Sequence, residues 1–221
     1  KPVSPVVLQA KLRAMQRLCS LHHQLQALTD QLRASNADLQ AQSLHDPLTG
    51  LANRRGLDIR LDEALRAARR EHQPLTLILC DIDKFKAYND SLGHVEGDRC
   101  LQSVGQLLRG ACQRPADMAA RYGGEEFALI LPNTAKSGAM TFSRAVRRML
   151  MNRALPHPAS SIASHVTISG GITTCVPDDS TTYLGMVTRA DEALYAAKAL
   201  GRNHFFSYEL QVTAKEHLAQ R

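Results

Sequence analysis

Gly123-Gly124-Glu125-Glu126-Phe127 decides the reading of this chain. Apolar runs flank it, Met118 to Tyr122 before and Phe127 to Leu131 after. A glycine-rich turn between two such runs predicts a β-hairpin. A plain hairpin is satisfied by Asn-Gly, so two carboxylates at the tip are surplus to the turn. Glycine lets a ligand approach the backbone closely, and paired acids beside it point to a metal or a proton acceptor. Upstream, Leu75-Thr76-Leu77-Ile78-Leu79-Cys80 predicts a buried strand that runs into Asp81-Ile82-Asp83. An acid at the end of a buried strand is costly unless it is paired or metal-bound. Carboxylates from this strand and from the hairpin make an oxygen-rich pocket, which suits hard Mg²⁺ shared with substrate phosphates.

Working outward, the stretch Val6 to Leu44 has no internal proline or glycine and predicts one long helix. Leu18, Leu21, Leu25, Leu28, Leu32 and Leu39 fall on a seven-residue a/d pattern, with Ser35 and Gln42 as polar members. Leu8, Leu12 and Met15 lie on a shifted stripe, as a stutter produces. Such a stripe is either a coiled-coil seam or a helix packed on its own domain. The Gln-, Arg- and His-rich flanks favour the coiled coil. Asp46-Pro47-Leu48-Thr49-Gly50 then breaks the helix. Further helices are predicted over Arg54–Glu71 with Asn53 as cap, Lys84–Ser91, Glu96–Cys112, Ser137–Asn152 and Tyr183–Leu200. Strands are predicted at Leu75–Asp81, the hairpin, His165–Thr174 and His204–Ser207, with a Pro/Ser-rich connection at Pro156–Ser161. The alternation indicates an α+β sandwich.

The chain has 221 residues and 44% hydrophobic content, enough for one ordinary domain plus an extension. No apolar run approaches the ~18 residues of a membrane span. The first residue is Lys1, not Met, so a fragment of a longer protein is expected. Five scattered cysteines show no metal-ligand spacing. Cys80 and Cys100, in apolar surroundings, are expected in the core, and a reduced, cytoplasmic compartment is the default. The net charge of +6 raises nucleic acid as a partner. No basic patch interleaved with aromatics is evident and Trp is absent, so nucleic acid is not expected. A polyanionic nucleotide ligand accounts for part of the basic excess.

The remaining motifs are Asp46-Pro47-Leu48-Thr49-Gly50-Leu51-Ala52-Asn53-Arg54-Arg55, Asp81 to Asp90, Gly93-His94, Gly97-Asp98, Ala190 to Lys198 and Gly201-Arg202-Asn203. Together with the Gly-Gly-Glu-Glu-Phe turn, and in the same order, they resemble the GGDEF-domain diguanylate cyclases over Asp46 to Phe206. The resemblance implies a ferredoxin-like, palm-related core of the nucleotidyl-cyclase type at 46–208, behind a signalling coiled-coil helix at 1–45 and before a tail at 209–221. It implies Mg²⁺-dependent (or Mn²⁺-dependent) condensation of two GTP into cyclic di-GMP, with release of two pyrophosphates. A degenerate module that only binds GTP or cyclic di-GMP is the alternative, and the survival of both turn acids argues against it.

Residue by residue, the resemblance assigns metal binding to Asp81, the Ile82 carbonyl and Glu125. Glu125 also assists deprotonation of the attacking hydroxyl, and Glu126 tunes that environment. Asp83 is either a further ligand or the cap of the helix that follows. The amides of Phe85 and Lys86 meet the phosphates at a helix start, and Lys198 and Arg202 meet the terminal phosphates. Read without the family, that Lys and Arg are a solvated basic face at a helix C-terminus, favoured by the dipole. Asn89 and Asp98 read guanine, while Tyr88 and Leu92 are expected in the core. Arg114-Pro115-Ala116-Asp117 matches the family's RxxD inhibitory site for the product, against the plain alternative of a surface ion pair. A second arginine that often assists there is replaced by Thr141 or Ala145, with Arg144, Arg147 or Arg148 as substitutes only after helix rotation or from a neighbour. A homodimer or higher oligomer through the N-terminal helix is implied, because each domain binds one GTP. Lys1-Pro2-Val3-Ser4-Pro5-Val6-Val7-Leu8 resembles the end of a phospho-receiver domain, implying a receiver upstream.

Overall fold

The structure is a computed structural model and describes residues 11, 13, 15–26, 28–31 and 43–208. The chain divides into two units, Lys1–Ser43 and Leu44–Arg221. In the first, every described residue from 11 to 31 is helical. Its stripe residues Met15, Leu18, Leu21, Leu25 and Leu28 are 56% to 68% exposed. The receiver-like start, Leu8, Leu12, Leu32, Leu39, Ser35, Gln42 and the tail at 209–221 lie outside the described residues.

The second unit runs α1 (Arg54–Glu71), β1 (Leu75–Ile82), α2 (Phe85–Leu92), α3 (His94–Ala111), β2 (Met118–Gly123), β3 (Glu126–Pro132), α4 (Lys136–Arg153), β4 (Ile168–Cys175), α5 (Tyr183–Ala199) and β5 (Phe205–Ser207). The sheet has five strands in the order β2-β3-β1-β4-β5. β1 is antiparallel to both β3 and β4, β2 is antiparallel to β3, and β5 is parallel to β4. Four of these strands, with α2–α3 and α4 as crossovers, form the split βαβ pattern of a ferredoxin-like core. α1, α5 and β5 are additions to it.

The period of two in β1 sorts its side chains between the faces of the sheet. Ile78, Cys80 and Ile82 join Phe127, Leu129, Val104, Leu108 and Val146 under α3 and α4. Leu75, Leu77 and Leu79 join Leu57, Leu61, Ile130, Met186 and Leu194 under α1 and α5. Both faces of β1 are therefore covered, which is why all eight of its residues are buried and its sequence is apolar without alternation. α5 lies directly on β4: a Cβ at Gly171 would stand 2.0 Å from the carbonyl oxygen of Ala190.

Several boundaries differ from the sequence reading. α2 begins at Phe85, with Lys84 as its N-cap in the left-handed region at φ 58. α3 begins at His94, two residues before the predicted Glu96. β4 begins at Ile168 because His165 is taken by an isolated bridge to Pro156. Leu92, expected in the core, is 39% exposed at the end of α2, whereas Tyr88 is buried as expected. Cys80 and Cys100 are buried, and all five cysteines are free. No helix among the described residues is long and apolar enough to cross a membrane.

Candidate active site

β1, the central strand, delivers Asp81 near its C-terminal end, where antiparallel register sets it directly opposite Glu126 of β3. Like charges across a ladder are destabilising, so the pairing is not a solution for packing. Gly124, at φ 52, turns the hairpin before Glu125 in a conformation that a side chain would strain. The amide of Ile82 donates to the Glu125 carbonyl at 3.3 Å, which ties the hairpin tip to the end of β1. Lys198, from the last turn of α5, places its ammonium 2.9 Å from Asp81 Oδ2. Burial raises the pKa of Asp81 to about 6; the Lys198 hydrogen bond and charge oppose the rise, and the charges of Glu125 and Glu126 add to it. A buried acid held against two others lacks positive charge even with one lysine on it. Among the described residues, no three His, Cys, Asp or Glu side chains form a metal cage by themselves. Two carboxylates, Asp81 and Glu125, and the Ile82 carbonyl would give an oxygen-only donor set with positions left for phosphate, a set that suits Mg²⁺.

Of the two roles that the sequence left open for Asp83, the helix cap is not taken, since α2 has no side-chain cap. Its carboxylate accepts from Thr167 Oγ1 at 2.8 Å, Ser169 Oγ at 2.7 Å and the Asn203 amide at 3.0 Å. At 1% exposure it is a buried pin joining the end of β1 to β4 and to the loop after α5. That loop carries Arg202, in the left-handed region at φ 64, so the pin also fixes where Arg202 starts.

The residues expected to bind phosphate and base lie on α2 and α3. Phe85 and Lys86 open α2, with their amides at its N-terminus and the Lys86 side chain exposed. Asn89 lies one turn on, against α3: a Cβ at Gly97 would stand 1.9 Å from Asn89 Oδ1. That oxygen is buried without a hydrogen-bond partner. Asp98, next to Gly97, is exposed. An orphaned acceptor beside an open carboxylate is what an N–H-rich base edge requires.

One residue of the site was missed. Arg121 of β2 donates through Nε to the Gly124 carbonyl at 2.9 Å and through Nη1 to Asp46 Oδ2 at 3.1 Å and Oδ1 at 3.3 Å. Burial alone would raise the Asp46 pKa, but hydrogen bonds from the Thr49 hydroxyl and amide and the Arg121 charge outweigh it and hold it below the ordinary range. One guanidinium thus clamps the Asp46–Gly50 turn to the signature turn. An arginine two residues before the glycines was the available signal, and its partner lay 75 residues away.

Arg114 and Asp117 form a compact turn, but not a side-chain ion pair. The Arg114 amide donates to Asp117 Oδ2 at 3.4 Å, while its guanidinium donates to Thr134 Oγ1 at 3.2 Å. Asp117 Oδ1 is buried without a partner, and burial raises its pKa against the lowering by the Arg114 amide and charge. On α4, Thr141 donates to the Ser137 carbonyl at 3.0 Å. Arg144, Arg147 and Arg148 line a cavity of about 310 Å³ with His165 and Asn203.

Residues 43–204 match the family model described as diguanylate cyclase, GGDEF domain. The chain is 39% identical over 188 residues to diguanylate cyclase VdcA of Vibrio cholerae, covering 83% of this chain and 53% of that protein. It is 34% identical over 204 residues to response regulator PleD of Caulobacter vibrioides, covering 92% of this chain and 43% of that protein. The chain therefore spans about half the length of the curated relatives it matches. Among solved structures, the GGDEF domain of DgcB from Caulobacter crescentus in complex with c-di-GMP superposes with a TM-score of 0.68 at 35% identity, over 75% of this chain and 93% of that one. The active GGEEF domain of a Vibrio cholerae diguanylate cyclase gives 0.63 at 32% identity, over 73% and 99%.

Proposed function

This chain belongs to the GGDEF family of diguanylate cyclases, and from that premise we propose that it condenses two GTP molecules into cyclic di-GMP. The observation that carries the proposal is the cross-strand confrontation of Asp81 and Glu126, with Glu125 beside them and Lys198 2.9 Å from Asp81. Asp81, the Ile82 carbonyl and Glu125 would hold Mg²⁺ (or Mn²⁺), which supplies charge neutralisation for the triphosphate and the attacking 3′-hydroxyl. Glu125 accepts the hydroxyl proton, and Glu126 sets the potential around it. The Phe85 and Lys86 amides receive phosphate oxygens at the positive end of α2. Lys198 turns from Asp81 to the terminal phosphates and Arg202 joins it there. Asn89 Oδ1 and Asp98 accept from guanine N1–H and N2–H₂.

Each domain offers one GTP site, so two copies bring two nucleotides together, and the N-terminal helix is the dimerising element. Arg114 and Asp117 form the inhibitory product site, with the partnerless Asp117 Oδ1 as acceptor for a guanine edge. The kinship with PleD, a response regulator, supports a receiver domain upstream, and cysteines that are all free suit the cytoplasm. Product formation from equal GTP and ATP with Mg²⁺ tests the base assignment. GTP is expected to be used at least about tenfold better, since each mispaired acceptor costs about 1–3 kcal/mol. Equal turnover contradicts it. Arg114→Ala is expected to relieve product inhibition at an unchanged initial rate, and an unaltered inhibition curve contradicts the inhibitory site.

A further inference from the structure

His157 lies in the connection between α4 and β4, in a stretch whose sequence suggests only a linker. Yet the side chain is 1% exposed. Its Nε2 stands 3.3 Å from the carbonyl oxygen of Lys84, which can only accept, so the ring nitrogen donates. The ring meets Tyr88 edge-on at 5.1 Å, and Tyr88 in turn stacks on Phe85 at 6.1 Å. The same Lys84 carbonyl accepts the Tyr88 amide at 3.0 Å, the first helical bond of α2. His157 therefore holds the N-cap residue of α2 and braces its first turn.

Two features indicate that this contact is more than filling. Lys84 is in the left-handed region at φ 58 and has no side-chain cap, and such a non-glycine conformation persists only where its surroundings enforce it. Nδ1 of His157 is buried without a partner. An apolar ring would fill the same space without that cost, so the imidazole is retained for the bond that Nε2 makes. The ring is itself anchored, because the His157 amide donates to the Ser164 carbonyl at 2.9 Å and the His157 carbonyl accepts from the Ser160 amide at 3.1 Å.

We propose that His157 is a positioning residue that fixes the first turn of α2, and with it the Phe85 and Lys86 amides, in the orientation that receives the GTP phosphates. The proposal rests on GTP being the substrate. His157→Phe keeps the ring edge on Tyr88 and removes the donor, whereas His157→Gln keeps an amide donor at the reach of Nε2. Steady-state kinetics with GTP and Mg²⁺ and thermal melting, on the full chain, test it. His157→Phe is expected to raise KM for GTP about 3- to 10-fold, the factor of one lost hydrogen bond, with kcat within about twofold, and His157→Gln to restore KM. A KM unchanged in His157→Phe, or a loss confined to melting temperature, overturns the positioning role while leaving the cyclase reading intact. A parent chain that does not turn over GTP overturns both. If His157→Phe does not fold, His157→Gln and His157→Asn decide the matter, since they share amide chemistry and differ in reach, and equal KM values in the two overturn the proposal.

Discussion

Asp81 is where the cost of the site is concentrated. Its pKa is raised from 3.8 to about 6, by burial first and then by Glu125 and Glu126 against the pull of Lys198. The folded chain therefore holds this proton more tightly than the unfolded chain does. The stability it contributes is present below the ordinary carboxylate value and is lost as pH rises through about 6. Asp81→Asn removes that loss. The variant is expected to unfold in urea at pH 8, without Mg²⁺, with about 1–3 kcal/mol more stability than the parent, a gap that closes towards pH 4. Lys198 does not reverse the sign, because at 32% side-chain exposure it regains water when its partner is neutral. The same variant is expected to make no cyclic di-GMP, and equal stability at both pH values contradicts the burial argument. A second residue-scale expectation concerns Gly97. A methyl there would collide with Asn89 Oδ1 at 1.9 Å, so Gly97→Ala is expected to weaken GTP binding at least tenfold, measured by titration calorimetry, while the helix keeps its circular dichroism.

Among the elements, the hairpin is the one proposed to carry the chemistry, and Arg121 of its own strand β2 fastens its tip to the Asp46–Gly50 turn, by bonding the Gly124 carbonyl and both oxygens of Asp46. At 17% and 15% side-chain exposure, this pair is shielded enough to matter. The depressed pKa of Asp46 means its stabilisation is present above the ordinary carboxylate value and is lost as pH falls through the lower, folded value. Arg121→Met is expected to cost about 1–3 kcal/mol at pH 7 and less as pH falls through the lowered, folded value of Asp46, below which its carboxyl is protonated in either chain. It is also expected to lower turnover, because the Glu125 backbone is no longer fixed. A urea midpoint unchanged at pH 7 contradicts the clamp. The hairpin and β1 were legible in the sequence because each is a local signal: two glycines between apolar runs, and a buried run ending in acids. The clamp, the Asp83 pin to Thr167 and Ser169, and the His157 contact were not, because their partners stand 73 to 86 residues apart and only the sheet order brings them together. Lys84 as a left-handed cap was equally hidden, since its residue type carries no turn preference.

At the scale of the whole molecule, the family motifs made the core and the candidate site readable by resemblance, while the helices predicted over Arg54–Glu71 and Tyr183–Leu200 match α1 and α5 to within one residue. The N-terminal helix stands differently. Its leucine stripe is readable as a seam, and the described part of that stripe is exposed. On the proposed reading two GTP sites face one another, and a tether raises their effective concentration. Removal of residues 1–43 is therefore expected to make specific activity rise with protein concentration over a range where the full chain is constant. Concentration-independent activity in the truncated chain contradicts the tether. The central claim, that the acids of β1 and the hairpin build a centre for joining two GTP molecules, is tested most directly by mass-spectrometric detection of cyclic di-GMP after incubation with GTP and Mg²⁺, for the parent and for Glu125→Gln. The expected result is product from the parent, accumulating with two pyrophosphates per molecule, and a loss of at least about a hundredfold in Glu125→Gln. No product from a folded parent, or the parental rate from a folded Glu125→Gln, contradicts it.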